Sequence, residues 1–96
     1  MSAKCDLPLH GLTVVIETRS DGQASAPKLY IGRFDYENEE FILLHDADVQ
    51  ELGPGFEKDA YLLRTAKFGV RQTVDRVTVR RAVVESVRRL TEVVGA

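Results

Sequence analysis

The stretch "DRVTVRRAVVESVRRL", residues 75–90, fits two secondary structures, and the choice between them decides the fold. Four apolar residues recur at helical spacing with arginines on the opposite side, namely Val79, Val83, Val87 and Leu90. Val77 and Val79 nevertheless alternate with Thr78 and Arg80, as the residues of a strand do. Periodicity alone therefore leaves both a helix and a pair of strands open.

The valine content of the same region bears on this choice. Eight valines lie between residues 74 and 94, and each is stiff at χ1 and slightly disfavoured in a helix. A helix over residues 75–94 would gain from Asp75 as an N-terminal cap and from Gly95 as a stop. The composition argues against that helix.

The first half of the chain predicts three antiparallel strands linked by turns. "GLTVVIET" (residues 11–18) is dominated by β-branched residues, and "KLYIGRFDY" (residues 28–36) follows a loop rich in Ser, Gly and Asp. Alternation places Tyr30, Gly32, Phe34 and Tyr36 on one face of that second strand, and Leu29 and Ile31 on the other. Gly32 in mid-strand indicates a sharp bend or the close approach of another backbone. The apolar run "FILLHDADV", from residue 41, predicts a third strand that is buried on both faces.

The hydrophobic period changes in the middle of the chain. After the glycine- and proline-containing stretch "LGPG", Phe56, Ala60 and Leu63 recur at helical spacing. Gly69 follows where a helix would stop, in the position that favours left-handed backbone geometry. We therefore predict a helix over residues 56–68.

Size and composition indicate one soluble domain over residues 1–96. Hydrophobic residues make up 44% of the chain and charged residues 29%, and no apolar run approaches the ~20 residues that span a bilayer. The start, "MSAKCDLPLHG", lacks the apolar core of a signal peptide, and a lone cysteine, Cys5, has no partner for an internal disulfide. We expect a cytoplasmic protein without membrane partners, in which residues 1–10 are flexible or loosely packed.

The net charge of −2 hides an uneven distribution. Residues 1–60 carry five basic and twelve acidic groups, a balance of −7, whereas residues 61–96 carry eight basic and three acidic groups, a balance of +5. The two segments can neutralise each other within one fold. Alternatively, the basic segment faces the acidic segment of a neighbouring chain, or a nucleic acid.

The order of these patterns resembles the Sm-like fold of Sm, Lsm and Hfq-type proteins. The resemblance rests on "GLTVVIET", "YIGRFDYENEE" and "FILLHDA" in the first half, and on "VTVRRAVVESVRRL", which is similar to the closing pair of Sm strands. The chain is also similar, through "YIGRF", "LLHDADVQE", "FGVRQTVDRVTV" and "VVESVRRL", to a family of small uncharacterised bacterial proteins with no assigned activity.

This resemblance implies two final strands, at about residues 76–81 and 83–90, in place of a terminal helix. The predicted fold is mainly β with one helix. It is a five-stranded SH3-like or Sm-like antiparallel barrel with a helical insertion between strands 3 and 4. Closure of such a barrel removes the exposed edges that an open sheet carries.

Two departures from the Sm pattern concern RNA recognition. In the resembling family an Asp-x-x-x-Asn element before the third strand holds a uracil base, and the aligned positions here are Glu37 and Phe41, which provide no amide. The second RNA-contacting element keeps an arginine at Arg80 but has Arg81 where the family has glycine. Base-specific recognition of the Sm kind is therefore not what these residues favour, and the fold alone does not supply it.

No catalytic, metal or cofactor site is predicted. His45, Asp46 and Asp48 form the "HDAD" group, but on a regular strand the two aspartates share a face and the histidine points away. His10 and His45 lie outside any arrangement of nucleophile, base and orienting group. We therefore expect a protein that is not an enzyme.

The function predicted from the sequence is a non-catalytic interaction or scaffold module that self-associates as a homo-oligomer through its last two strands. The predicted interface residues are Val77, Val79, Arg81, Val84 and Val87. The alternative is an RNA-binding protein that uses its basic C-terminal strands, with phosphate contacts from Arg71, Arg76, Arg80, Arg81, Arg88 and Arg89. Tyr30, Phe34 and Tyr36 would then stack on bases, although aromatic residues on one strand face are more often core.

Overall fold

The structure is a computed structural model that describes residues 11–20 and 26–94. The expectations for residues 1–10, which include Cys5 and His10, and for Gly95 as a helix stop fall outside these described residues. Within the described part of the chain, no helix has the length and apolar character needed to cross a bilayer.

The described residues form a mainly β fold with one helix of several turns. The elements in chain order are β1 (Thr13–Thr18), β2 (Lys28–Glu37), β3 (Phe41–Glu51), α1 (Lys58–Phe68), β4 (Val74–Arg80), β5 (Val84–Arg89) and α2 (Leu90–Val94). A 3-10 turn of three residues, Arg81–Val83, joins β4 to β5. The opening stretch therefore forms two strands and a short turn, and the helical insertion between the third and fourth strands is confirmed. It ends as predicted at Gly69, whose φ is 96° and whose N–H donates to the Thr65 carbonyl at 2.8 Å.

The short helix α2 was not predicted, because a strand was expected to continue to residue 90. Glu92 accounts for the change. Its carboxylate accepts the backbone N–H of Arg89 at 3.1 Å and the guanidinium of the same residue at 2.7 Å. A glutamate in the first turn that reaches back to the N–H before the helix is half of a capping box, and it ends the strand by starting a helix.

The five strands form one antiparallel sheet in the order β4-β3-β2-β1-β5. The predicted sheet is confirmed, but its closure into a barrel is not shown, since β4 and β5 lie at opposite edges. Only the three residues of the 3-10 turn join β4 to β5, which pairs with β1. Four inter-strand spacings of about 4.8 Å are more than so short a link can span, so the sheet curves enough to bring the end of β4 near the start of β5.

Both faces of the sheet are buried, and β1 contributes to both. Its residues Val14, Val15 and Ile16 have no exposed surface. One core, on the concave face, contains Val14, Ile16, Phe34, Ile42, Leu44, Ala47 and Val79. The second core lies under α1 and contains Val15, Leu29, Ile31, Tyr61 and Leu62. Helix α1 thus covers one face, while the other face packs against its own strands.

Two irregularities in the β2–β3 ladder change which residues share a face. Between the pairs Ile31–Asp48 and Arg33–His45, two residues of β3 oppose Gly32 alone, and Asp46 there has a positive φ of 51°. Between the pairs Phe34–Leu44 and Tyr36–Leu43, β2 carries one extra residue, Asp35. Such bulges bend a strand and shift its alternation.

The second bulge corrects the predicted face of Tyr36. Tyr36 pairs with Leu43, while Phe34 pairs with Leu44, so the two aromatic side chains lie on opposite faces of β2. Phe34 is 3% exposed in the core, and Tyr36 is 52% exposed. Tyr30 packs beside the concave core, as the alternation predicts.

We predict that Gly32→Ala destabilises the fold by about 1–3 kcal/mol. An added Cβ would lie 2.7 Å from the Ala47 Cβ, 3.0 Å from its Cα and 3.1 Å from the His45 carbonyl oxygen, so β3 would have to move. Chemical denaturation measures the change. Gly53→Ala is the matched control, because a Cβ at Gly53 meets nothing within 4 Å. Equal unfolding midpoints for the two variants would contradict the close approach of β3.

Candidate functional site

The two edges of the sheet and the groove between them form the candidate interaction surface. The groove has a volume of about 310 Å³ and is lined by Phe34, Ile42, Val84 and Val87. At its rim Arg81 donates to the carboxylate of Glu37. The floor is apolar because Phe34 and Ile42 belong to the concave core. The groove therefore lies beside β5 and the 3-10 turn that joins it to β4.

The structure brings four of the five predicted interface residues to this region in accessible positions. Val77, Val84 and Val87 are partly buried and pack against the concave core, so each keeps apolar surface that a partner can cover. Val79 is only 1% exposed and packs in the core, so it has no surface that a partner could contact. Arg81 is half exposed and forms an ion pair with Glu37 of its own chain.

The six arginines proposed for phosphate contacts do not lie together. Arg76 lies opposite His45 in the β3–β4 ladder, at the β4 edge of the sheet. Arg89 lies opposite Val14 in the β1–β5 ladder, at the β5 edge. Three of these arginines form ion pairs with carboxylates of the same chain, namely Arg81 with Glu37, Arg88 with Glu17 (3.2 Å) and Arg89 with Glu92 (2.7 Å). Arg71 and Arg76 have no carboxylate within ion-pair distance among the described residues, and Arg80 is exposed at the end of β4.

The uneven charge distribution is partly neutralised inside one chain. Ion pairs that join the acidic and basic segments include Arg81–Glu37, Arg88–Glu17 and Arg19–Glu85. Glu17 also accepts Lys58 at 3.1 Å. The cations of α1 beyond Lys58 and the two consecutive glutamates of the β2–β3 turn have no ion pair among the described residues. These groups are Arg64, Lys67, Glu39 and Glu40.

The side chains of the "HDAD" group, His45, Asp46 and Asp48, contact different partners and do not come together. His45 contacts the Asp35 carboxylate through Nε2 at 2.9 Å, and Asp46 forms an ion pair with Arg33 at 3.3 Å. The bulge also corrects the predicted alternation, because His45 and Asp48 pair with two β2 residues that share a face. Among the residues that the structure describes, no three His, Cys, Asp or Glu side chains come together as a metal site.

Asp48 is the one buried carboxylate of the residues that the structure describes, at 1% exposure, and it accepts three hydrogen bonds. The donors are the Tyr61 hydroxyl, the Thr73 hydroxyl at 2.7 Å and the Gln50 amide at 3.0 Å. Tyr61 belongs to α1, Thr73 precedes β4 and Gln50 lies in β3. The carboxylate therefore joins three separate parts of the chain. Sequence reasoning missed this network, and its only local signal was a tyrosine at the start of the apolar face of α1.

The protonation of this network follows from its contacts. Burial acts to raise the pKa of Asp48, but the hydrogen bonds from Tyr61, Thr73 and Gln50, with Arg71 nearby, together hold that pKa below its usual value of 3.8. Burial and the hydrogen bond to Asp48 raise the pKa of Tyr61. Near neutral pH the pair is thus a carboxylate and a phenol, which suits a structural contact.

Comparisons with protein-family models, with curated proteins and with solved structures gave no match. The similarity to Sm-like proteins therefore stays a prediction from the sequence. What the structure contributes to function is the geometry of two unpaired edges, the apolar groove between them and the charged groups that the fold leaves unpaired.

We predict that Asp48→Asn lowers the free energy of unfolding at pH 7 by about 1–3 kcal/mol. Because the folded pKa lies below the unfolded value, the ionised carboxylate stabilises the fold above pH 3.8, and this stabilisation is lost as the pH falls through the folded pKa. The difference between wild type and variant should therefore shrink in denaturation experiments at pH 3. Asp46→Asn is the control, since its ion pair with Arg33 is exposed and contributes about 0–1 kcal/mol. A difference that stays constant with pH would contradict this account.

Proposed function

We propose that this chain is a non-catalytic interaction module that assembles with itself through β4 of one copy and β5 of the next. The observation that carries the proposal is the open sheet, whose two edge strands are joined by only a 3-10 turn. The resemblance to Sm-like proteins adds support, because it implies pairing between the fourth and fifth strands of neighbouring protomers. The same proposal includes the fold assignment, namely that the sheet is a small SH3-like or Sm-like barrel whose open edges pair with neighbouring copies.

The edge strands offer both main-chain and apolar contacts to such a neighbour. Val77 of β4 and Val84 and Val87 of β5 are only partly covered by the core beneath them. Strand addition pairs the free N–H and C=O groups of an edge and covers the side chains beside them. Exposed ion pairs at the rim contribute little, so the valines and the backbone must supply most of the affinity.

The direction of the free backbone groups on β4 follows from one hydrogen bond. The N–H of Arg81 donates to the Glu40 carbonyl at 2.9 Å, on the β3 side. Hydrogen-bonding direction alternates along an antiparallel strand, so the N–H groups of Val79 and Val77 also point to β3. The N–H of Thr78, which lies opposite Leu43, consequently points away from the sheet and is available to a partner strand.

We predict that Thr78→Pro weakens self-association about tenfold or more while the monomer stays folded. Proline removes the outward N–H and leaves the β3–β4 hydrogen bonds in place, and edge strands tolerate it. Sedimentation velocity over a range of concentrations measures the association, and circular dichroism checks the fold.

Thr78→Ala serves as the matched control, because it removes the side chain and keeps the N–H. It should associate as the wild type does. A wild-type protein that sediments as a monomer up to about 1 mM, or equal association of the proline and alanine variants, would refute strand pairing through β4.

RNA binding is the second proposal, and the observation that favours it is that Arg71 and Arg76 form no ion pair among the described residues. Phosphate contacts release counterions, so affinity for a single-stranded oligonucleotide should fall steeply with salt. Filter binding with wild type and an Arg71→Gln, Arg76→Gln double variant measures this. No binding at low salt would rule the proposal out, and equal binding by the two proteins would show that these arginines do not carry it.

A further inference from the structure

Helix α1 carries the most exposed large apolar side chains of the described residues. Tyr61, Leu62 and Thr65 form its buried face. On the outward side, Leu63 is 59% exposed and Phe68 is 77% exposed. Together with Arg64 and Lys67 they line a shallow depression of about 480 Å³. We call these four residues the α1 stripe.

The α1 stripe is cationic as well as apolar. Arg64 and Lys67 form no ion pair among the described residues, whereas Lys58, at the other end of the helix, is held by Glu17. The only carboxylate within the helix, Asp59, lies in its first turn, about 12 Å along the helix axis from Lys67 in the last turn. A partner that fits this surface must present apolar side chains flanked by negative charge.

The turn between β2 and β3, residues 36–41, has that chemistry. Tyr36 is 52% exposed and its ring lies 6.3 Å from that of Phe41. Glu39 and Glu40 are exposed and have no ion pair among the described residues, while Glu37 is occupied by Arg81. This β2–β3 turn therefore presents an aromatic pair with two free carboxylates.

The β2–β3 turn is held in one conformation. The side-chain oxygen of Asn38 accepts the backbone N–H groups of Glu40 and Phe41 at 2.8 and 2.9 Å. The N–H of Asn38 donates in turn to the Phe41 carbonyl at 2.9 Å. A turn fixed in this way loses little conformational entropy when it binds.

The α1 stripe and the β2–β3 turn cannot meet within one chain. Lys28 pairs with Glu51 at one end of the β2–β3 ladder, and Glu37 pairs with Ile42 at the other, next to the turn. Helix α1 follows the Glu51 end, and the ten residues of β2 separate the ends by about 30 Å. Contact between the two surfaces therefore requires two molecules.

We propose that the α1 stripe binds the β2–β3 turn of a second copy of this chain. Two cations then face two carboxylates, and Leu63 and Phe68 cover Tyr36. The contact is head-to-tail, so a pair of copies leaves the turn of one and the α1 stripe of the other free, and assembly continues into a ring or a filament. The charges set the orientation, and the apolar side chains supply most of the affinity. This contact uses different residues from the β4–β5 pairing and does not depend on it.

Charge reversal tests the proposal with three full-length variants in sedimentation velocity at low salt. Lys67→Glu and Glu39→Lys should each weaken association about tenfold. Lys28→Glu, which makes the same charge change as the first variant at a residue outside both surfaces, should leave association unchanged. All of these positions are exposed or lie on strand ends, and circular dichroism checks that each variant folds.

Mixing the two damaged variants gives the decisive measurement. The α1 stripe of the Glu39→Lys chain is intact and meets the intact turn of the Lys67→Glu chain, and the two altered surfaces are again of opposite charge. The mixture should therefore associate close to the wild-type level. A mixture that stays as weak as its components, or reversals without effect on association, would overturn the proposal.

The same series separates this contact from strand-edge pairing and from other partners. If Thr78→Pro abolishes association and the charge reversals do not, the edge strands alone assemble and the α1 contact is refuted. The reverse pattern refutes the edge proposal and keeps the α1 contact. A wild type that stays monomeric at low salt but binds phosphatidylserine vesicles, in a manner lost in Lys67→Glu, would assign the α1 stripe to an anionic lipid surface and overturn the second copy as its occupant.

Discussion

The buried carboxylate of Asp48 determines how the helix and the sheet of this protein fit together. Removing a charge from water is unfavourable unless hydrogen bonds replace the lost solvation, and here three donors from three parts of the chain do so. Because one donor is Tyr61, the network fixes α1 against the sheet at the point where Leu62 enters the second core. The outward direction of the opposite helix face, with its cations and exposed apolar residues, is a consequence of that placement.

The edges of the sheet follow from a different constraint. Helix α1 and helix α2 cover the face that carries Leu29 and Ile31, but no described element covers β4 or β5 from the side. Proteins commonly protect exposed edges with charged residues. Arg76 and Arg80 flank the valines of β4, and Arg88 and Arg89 end β5. Two β4 edges, or two β5 edges, would bring these arginines against each other, so the charges oppose such pairing. Pairing of β4 with β5 is less hindered, because β5 also carries Glu85.

Most of the elements were predictable from the sequence because their signals are local. Alternation, β-branched residues and turn glycines predicted the first three strands and α1 within a few residues. The choice of two strands over a helix at residues 76–90 rested on the resemblance to Sm-like proteins, because periodicity fitted both. The bulges at Asp35 and Asp46 were not predictable in the same way, since they depend on how closely β3 approaches Gly32 across the ladder. They turned Tyr36 outward and brought His45 and Asp48 to one face. The Asp48 network was missed for a related reason: Tyr61 and Thr73 are 13 and 25 residues away from it along the chain.

The charged side chains that form no ion pair within the fold indicate how a partner surface would be recognised. Ion pairs such as Arg81–Glu37 and Arg88–Glu17 neutralise the two halves of the chain against each other near the sheet. The charged groups without an ion pair among the described residues include the cations of α1 after Lys58 and two carboxylates of the β2–β3 turn, and these groups are exposed. At physiological ionic strength charges are screened beyond about 8 Å, so these groups act only when surfaces are nearly in contact. Recognition then rests on the exposed apolar side chains beside them, and the charges select which surface the apolar groups of Leu63 and Phe68 can approach.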